Sequence, residues 1–486
     1  MPNDADVQRR LAISRVPIRK QDPEERKKNW EEVFLGFDLE TAKVEAMRCI
    51  QCPTAPCQQA CPVHNDIPGA FSLLENGDVF ASAEKFRETS NLPELCGRLC
   101  PQERLCEGEC VVAFAIRPDM HQEPPVSIGK LEAFVADYQR EHQGMPLPVL
   151  PERSGFRVAI VGAGPAGLAV AEELAKEGHD CVMYDAWPEP GGVLLYGIPN
   201  FKLSKRVLQD KLRYLELLGV TFVGNTWVGK DITVDQLFAQ GFHAVFAGTG
   251  AGVGGSLAIP NEELTGILTA TEFLVRGNLE PHQLPEHMRV PLTLGRDVVV
   301  IGGGDTSMDC VRTAVRLGAE RVVCVYRRTE AEMLGREEER QHARDEGIDF
   351  QFLTIPLRFL GDDQGRVTGV ECQRMELGEP DESGRRRPVP VPHSEFVVPA
   401  DTVAIAIGYS GDPIIKDAAP GVATNQKNLV EVHPDTFMTS RAGVFAGGDN
   451  VNGADLVVTA LADGRRAAQA IHDYLRSLIP PHLRNP

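Results

Sequence analysis

The apolar and polar positions of this chain follow different rules before and after residue 150. Beyond that point, short apolar runs flow into glycine loops and then into segments of helical period. Arg157-Val-Ala-Ile-Val161 leads into Gly162-Ala-Gly164-Pro-Ala-Gly167 and a helix expected over Leu168 to Glu177. The order returns at Asp297-Val-Val-Val-Ile301, which leads into Gly302-Gly-Gly304-Asp305-Thr-Ser307. A helix over Met308 to Leu317 and a strand over Arg321 to Val325 follow. Strand, turn and helix in this sequence build doubly wound α/β domains on parallel sheets. A later strand and glycine cluster, Gly443-Val-Phe-Ala-Gly-Gly-Asp449, comes after the second unit has closed. The second domain is therefore expected to be inserted in the first, with divisions at 151–292 plus 410–486 and at 293–409.

Residues 1–150 read as a helical domain. The first forty are polar, and Glu24-Glu25-Arg26-Lys27-Lys28-Asn29-Trp30 predicts an amphipathic helix, an arm or docking element. Helical periodicity broken by Pro and Gly continues to residue 140, with a last helix expected over Ile128 to Tyr138. Met145-Pro-Leu-Pro-Val-Leu-Pro151 then forms an extended, stiff linker.

Length and composition agree with about three domains: 486 residues, 42% of them hydrophobic. A net charge of -19 argues against nucleic acid or an anionic membrane as a partner, since both demand basic patches. The Arg385-Arg386-Arg387 run is read as a solvated loop. No run approaches the roughly 18 apolar residues of a membrane span, and the first residues lack the pattern of a signal peptide. A cytoplasmic location is expected, where thiols stay reduced and clustered cysteines serve as ligands, not disulfides.

Eight of the twelve cysteines fall between residues 49 and 110. Cys49-x2-Cys52-x4-Cys57-x3-Cys61-Pro62 is followed by Cys96, Cys100-Pro101, Cys106 and Cys110. In two-cluster ferredoxins, three close cysteines hold one cubane, while a fourth, just before a proline, ligates the other. By that rule Cys49, Cys52 and Cys57 hold a first 4Fe-4S cluster, and Cys61 joins Cys100, Cys106 and Cys110 on a second. The first set is one ligand short, with Cys96 or a carboxylate as candidates. Zinc also takes cysteine tetrads, but this spacing lacks paired CxxC knuckles. Cys181, Cys310, Cys324 and Cys372 stand apart and read as small buried hydrophobes.

The first glycine loop suits a pyrophosphate at a helix N-terminus, and Asp185, ending the next strand, can accept from a ribose hydroxyl. A second loop, Gly191-Gly192-Val-Leu-Leu-Tyr196-Gly197-Ile-Pro199, favours FAD over NAD at this site. The late strand ending in Asp449 resembles that of flavoprotein disulfide reductases, which implies an Asp on the ribityl chain. The redox-active CxxC of thioredoxin reductase-like enzymes is absent from residues 151–486. In the second loop Ser307 replaces the third glycine. Its next strand ends in Tyr326-Arg327-Arg328 where an NAD site would carry an acid, so NADPH is expected at Gly302, Gly304, Asp305, Arg327 and Arg328. The alternative has these arginines pairing with Glu330, Glu337 or Glu338. Hydride transfer needs positioning more than a proton-shuttling triad, so no catalytic acid or base is assigned.

Arg48-Cys-Ile-Gln-Cys52, Ala60-Cys-Pro-Val63, Cys96-Gly-Arg-Leu-Cys-Pro101, Pro125-Val-Ser-Ile-Gly129, Gly192 to Pro199, Tyr326-Arg-Arg328 and Phe445-Ala-Gly-Gly-Asp449 together carry a resemblance. The chain resembles the glutamate synthase small-subunit family over nearly its full length. It is also similar to the flavin subunit of NADH-dependent ferredoxin:NADP oxidoreductase and to the N-terminal half of dihydropyrimidine dehydrogenase. The resemblance implies two 4Fe-4S clusters and FAD in one chain that takes hydride from NADPH. Its electrons would pass to a glutamate synthase large subunit making glutamate from glutamine and 2-oxoglutarate. The alternative is the flavin subunit of a ferredoxin/NAD(P)H transhydrogenase, with a smaller flavoprotein or ferredoxin as partner. The resemblance also implies Glu132 as fourth ligand of the first cluster, with Cys96 a neighbour. Met333-Leu-Gly-Arg336 departs from the family's more usual Met-Pro-Ala-Arg, and Gly254-Gly-Ser256 sits where many members carry bulkier residues.

Overall fold

Two parallel five-stranded sheets follow from the two strand-loop-helix units. The computed structural model describes residues 4–115, 122–290, 292–380 and 386–480, apart from the side chains of 416 and 417. Arg385 lies outside them. The first sheet contains β1 (Arg157–Val161), β2 (Asp180–Tyr184), β3 (Thr221–Val223) and β4 (Ala244–Ala247). The second contains β5 (Ile267–Thr269), β6 (Asp297–Ile301), β7 (Arg321–Val325) and β8 (Asp349–Gln351). An antiparallel sheet of β9 (Thr354–Gly361), β10 (Val367–Pro380) and β11 (Arg386–Pro399) comes next. The chain then returns through β12 (Thr402–Ile405) to the second sheet and β13 (Val444–Ala446) to the first.

The strand orders are β13-β4-β1-β2-β3 and β8-β7-β6-β12-β5. β1 and β6 lie centrally, with parallel neighbours on both sides. Both sheet faces are covered, which is why these strands read as continuous apolar runs, not alternations. β13 pairs with β4, so the chain re-enters the first domain after building the second. The second sheet starts earlier than the division at 293: β5 pairs with β12 and places Ile267–Thr269 in the inserted domain. That strand is short and half-buried, so its apolar signal is weak.

Both helices after the glycine loops start earlier than their periodicity suggested, at Pro165 and Asp305, because Gly164 and Gly304 are already the helix caps. The final helix of the cysteine domain runs from Ile128 to Gln143 and buries Ile128, Leu131, Glu132, Val135, Ala136 and Gln139 on one face. Arg386 and Arg387 begin an edge strand, where a solvated loop was expected. Both remain exposed.

The amphipathic helix expected over residues 24–30 shrinks to Pro23–Arg26; a second helix, Asp4–Leu11, packs on the cysteine domain through Arg10 and Glu75, and residues 26–33 form a strap across domain boundaries. Val33 N donates to Phe201 O at 3.1 Å, and Glu32 accepts from Ser204 N at 2.8 Å and from Arg98. Arg26 is buried against the second nucleotide domain, where its Nε meets Glu346 at 2.9 Å. Glu346 also takes Arg312 at 3.0 Å and Arg316 at 2.7 Å. Burial would raise the Glu346 carboxyl, but Arg312 and Arg316 overcome it and hold it down at about 2.

Removing this one carboxylate takes the shared counter-charge from three buried guanidinium groups, leaving Asp345 to Arg26 and Glu339 to Arg312. Glu346→Gln is expected to cost about 3–5 kcal/mol, read as a lower denaturant midpoint. The folded carboxyl lies below its unfolded value, so this contribution is complete above the ordinary glutamate pKa and fades as pH falls toward 2. The gap between wild type and variant must narrow over that window. Equal midpoints at neutral pH would show that the cluster contributes no net stability.

Candidate functional site

The glycine loops of the two sheets open into one cleft of about 1190 Å³. Its flavin side includes Gly162, Gly164, Asp185, Gly192, Tyr196, Gly197 and Asp449. Its nicotinamide side includes Gly302, Gly304, Asp305, Arg327 and Arg328. Of the nucleotide-binding residues expected from sequence, Gly167 alone is not in the lining, because its role is packing. A Cβ there would lie 2.0 Å from Gly162 O, so only glycine lets the helix seat on the strand. Gly192 has φ of +53°, and a Cβ on it would come within 2.7 Å of Gly164 Cα. The two loops thus touch backbone to backbone, leaving room for a pyrophosphate at the N-terminus of Pro165–Lys176. In the second loop Ser307 is fully buried, its Oγ 3.5 Å from Ala406 O. A serine therefore takes the third glycine's place.

Asp185 accepts from Ala163 N at 2.8 Å and Trp187 N at 2.9 Å, one bond on each oxygen, which leaves lone pairs for a ribose. Burial raises its carboxyl above the usual range. Tyr196 stands edge-on to Trp187, with centroids 4.3 Å apart, and its hydroxyl accepts from Glu189 N. Asp449 opens a short helix. Burial, with Asp455 and Asp463 nearby, pushes it up to about 6 against a backbone bond at Asp455. A carboxyl in this state suits hydrogen bonding to hydroxyls more than pairing with a cation.

Neither Arg327 nor Arg328 forms an ion pair with a described residue. Glu330 is held by Arg344 and Arg340, and Glu338 by Lys20 and Lys130. Two acids weighed as alternative partners are thus engaged elsewhere, and the arginines face the cleft.

Sequence reasoning missed Lys202 and Leu99, which also line it. Lys202 is buried and meets Asp309 of the second domain at 3.0 Å, which ties the two nucleotide domains together. Leu99 brings the cysteine domain to the cleft beside Cys100. Its only sequence signal was its place between Cys96 and Cys100.

The cysteines lie in two surroundings, which differ in two places from the grouping expected from spacing. Cys110 joins Cys49, Cys52 and Cys57 around a small cavity closed by Ile67, Phe71 and Ile128. Burial pushes the Cys49 and Cys57 thiols up to about 12, and the other sulfurs of the set add to it. Glu132 instead lies beside Cys61, Cys100 and Cys106 and raises each thiol further, after burial at Cys61 and Cys106 and after the Cys96 hydrogen bond and burial at Cys100. The reason is helix packing. Gly97 sits so tightly on the 128–143 helix that a Cβ would lie 2.5 Å from Gly129 O and Ala133 N. Glu132 is thereby fixed next to the Cys96–Cys100 turn, away from the 49–57 loop. Cys96 is buried in that turn, near Cys100.

Among the described residues, no three or more His, Cys, Asp or Glu side chains are gathered as for a metal ion. The donor chemistry nevertheless fits iron-sulfur clusters. Buried and half-buried thiols without disulfides, and a buried Glu132 whose carboxyl is driven well above its normal range, gain from a cationic centre that reverses those shifts. Asn65 donates to Glu132 Oε1 at 3.1 Å and orients it. Cys181, Cys310, Cys324 and Cys372 are buried apart from these sets.

Residues 26–144 match the family described as dihydropyrimidine dehydrogenase domain II, 4Fe-4S cluster. Residues 156–464 match pyridine nucleotide-disulphide oxidoreductase. The chain is 42% identical over 93% of its length to the putative oxidoreductase AegA of Escherichia coli, covering 68% of that protein. It is 40% identical to the glutamate synthase [NADPH] small chain of Escherichia coli, covering 96% of this chain and 98% of that one. Among solved structures, Mycobacterium tuberculosis FprA in complex with NADPH superposes with a TM-score of 0.55 at 21% identity, over 66% of this chain and 85% of that one, a likeness of fold. Further glutamate synthase small chains, from Halomonas elongata and Azospirillum brasilense, match end to end, which favours that assignment over a transhydrogenase flavin subunit. The chain belongs to the glutamate synthase small-chain family of flavin and iron-sulfur oxidoreductases.

Proposed function

We propose that this chain is the electron-input subunit of a glutamate synthase. In this reading it oxidises NADPH and passes the electrons to a large subunit that forms glutamate from glutamine and 2-oxoglutarate. The observation that carries the reading is end-to-end similarity to a glutamate synthase [NADPH] small chain. The shared cleft and both cysteine sets agree with it.

Arg327 and Arg328 would bind the 2'-phosphate, while Gly302, Gly304 and Asp305 form the nucleotide turn. Gly162, Gly164, Gly192, Tyr196, Gly197 and Asp449 would hold FAD, with Gly167 packing the loop and Asp185 on the ribose. Cys61, Cys100, Cys106 and Glu132 would hold the cluster nearer the cleft. Cys49, Cys52, Cys57 and Cys110 would hold the other, where Cys49 and Cys52 are part-exposed. When bound, FAD splits the two electrons of a hydride into single electrons that iron-sulfur clusters can carry. The protein's task is to align the rings and keep water out. Lys202 and Asp309 serve that alignment across the domain boundary.

The test is an anaerobic NADPH titration followed by mixing with a glutamate synthase large subunit. The flavin should bleach, and glutamate should form only when both chains are present. Bleaching without glutamate, with electrons passing to ferredoxin instead, would reject the glutamate synthase reading and leave the cofactor sites intact.

A further inference from the structure

Arg336 touches the nucleotide loop and the cysteine domain at once. Its backbone N donates to Asp305 Oδ1 at 3.1 Å, at the start of the helix that follows the second glycine loop. The residues before it lie on that loop: Leu334 N and Gly335 N donate to Gly303 O at 3.1 and 2.9 Å. The guanidinium then leaves the nucleotide domain. Nη1 donates to the carbonyl oxygens of Arg98 and Cys100, each at 3.2 Å, and Nη2 meets Glu339 at 3.1 Å. The side chain is 3% exposed, so this charge acts in a dry setting. Arg104 crosses the other way and donates to Leu334 O at 3.0 Å.

These contacts converge on the turn that presents Cys100 and Leu99, where the cysteine domain reaches the cleft. A buried positive charge beside a cluster favours its reduced form, since reduction adds one negative charge. The two hydrogen bonds from Nη1 to carbonyls two residues apart also fix where the Cys100 sulfur points.

We infer that Arg336 is a positioning residue for electron transfer. It holds the Cys100 turn against the nucleotide loop and raises the reduction potential of the cluster on Cys61, Cys100, Cys106 and Glu132. The inference rests on the two-cluster reading above. The cluster gains and loses one electron at a time, with NADPH the source through the flavin, and Arg336 exchanges no proton. Lysine at this position would keep the charge but lose the planar fork whose one arm meets both carbonyls while the other meets Glu339.

The test is an anaerobic potentiometric titration of the full-length holoprotein, followed by electron paramagnetic resonance, for wild type, Arg336→Gln and Glu339→Gln. Wild type should contain about eight iron atoms, as two four-iron clusters require, and show two reducible centres. A single centre would overturn the two-cluster reading, whatever Arg336 does. With two centres present, Arg336→Gln should move one of them to a more negative potential and leave the other in place. Glu339→Gln, which removes the nearer of the two carboxylates that offset the guanidinium charge, should move the same centre the opposite way. Loss of about half the iron from Arg336→Gln, with FAD kept, would likewise support the positioning role. Unchanged potentials in a variant that keeps its FAD and iron would overturn the inference, as would equal shifts of both centres.

Discussion

Cys110→Ala is expected to lose about half of the bound iron, all from the cluster shared with Cys49, Cys52 and Cys57, and to keep FAD. The four sulfurs line one cavity, whereas Cys110 is absent from the surroundings that raise Cys61 and Cys100. Spacing alone grouped Cys110 with Cys61, Cys100 and Cys106, so the two groupings make opposite forecasts. Double variants separate them. Cys52→Ala with Cys110→Ala should lose no more iron than either single change, because both strike one cluster. Cys100→Ala with Cys110→Ala should remove nearly all of it. The reverse pattern, with the Cys100 pair non-additive and the Cys52 pair additive, would restore the grouping read from the sequence. FAD content guards against a collapsed fold, since the flavin-side residues come from the first nucleotide domain.

This regrouping shows what the sequence could and could not disclose. The cysteines were legible as ligands because their density and the Cys-Pro pairs leave few other readings. Their partners were not, since partnership depends on how the 128–143 helix crosses the 93–99 helix. That crossing is set by Gly97 against Gly129, a contact without a periodic signal. The two parallel sheets were legible because β1, β6 and β7 are buried and apolar at every position after the first. The antiparallel sheet of β9, β10 and β11 was not. Its strands are half-exposed, and β11 carries Pro388, Pro390 and Pro392, which usually argue against a strand. They are tolerated because β11 is an edge, paired on one side alone within that sheet. Arg336 and Lys202 were illegible for a third reason. Each acts across a domain boundary, on residues far away in the chain.

Arg327→Ala and Arg328→Ala should each raise the KM for NADPH by about 10- to 100-fold and leave that for NADH nearly unchanged, with the double variant preferring NADH. Charge-assisted hydrogen bonds to phosphate contribute roughly 1.5–3 kcal/mol each, which sets that range. The structure strengthens the expectation at its weakest point. Arginines at a strand end are often neutralised by nearby acids, but Glu330 and Glu338 are committed to Arg344, Arg340, Lys20 and Lys130. Arg328 also has a buried Nε without a partner among the described residues. A guanidinium in that state loses water without gaining a bond until an anion arrives, and NADH brings no phosphate to the 2'-position. Arg328 should therefore show the larger effect of the two, and Arg327, which is exposed, should show the steeper dependence on ionic strength. Steady-state reduction of an artificial acceptor measures both nucleotides on one enzyme, so any loss of folded protein cancels in the ratio. If both KM values rise together, the arginines position the nucleotide as a whole and do not read its 2'-phosphate. A fall in kcat at constant KM would place them instead in the alignment of the rings.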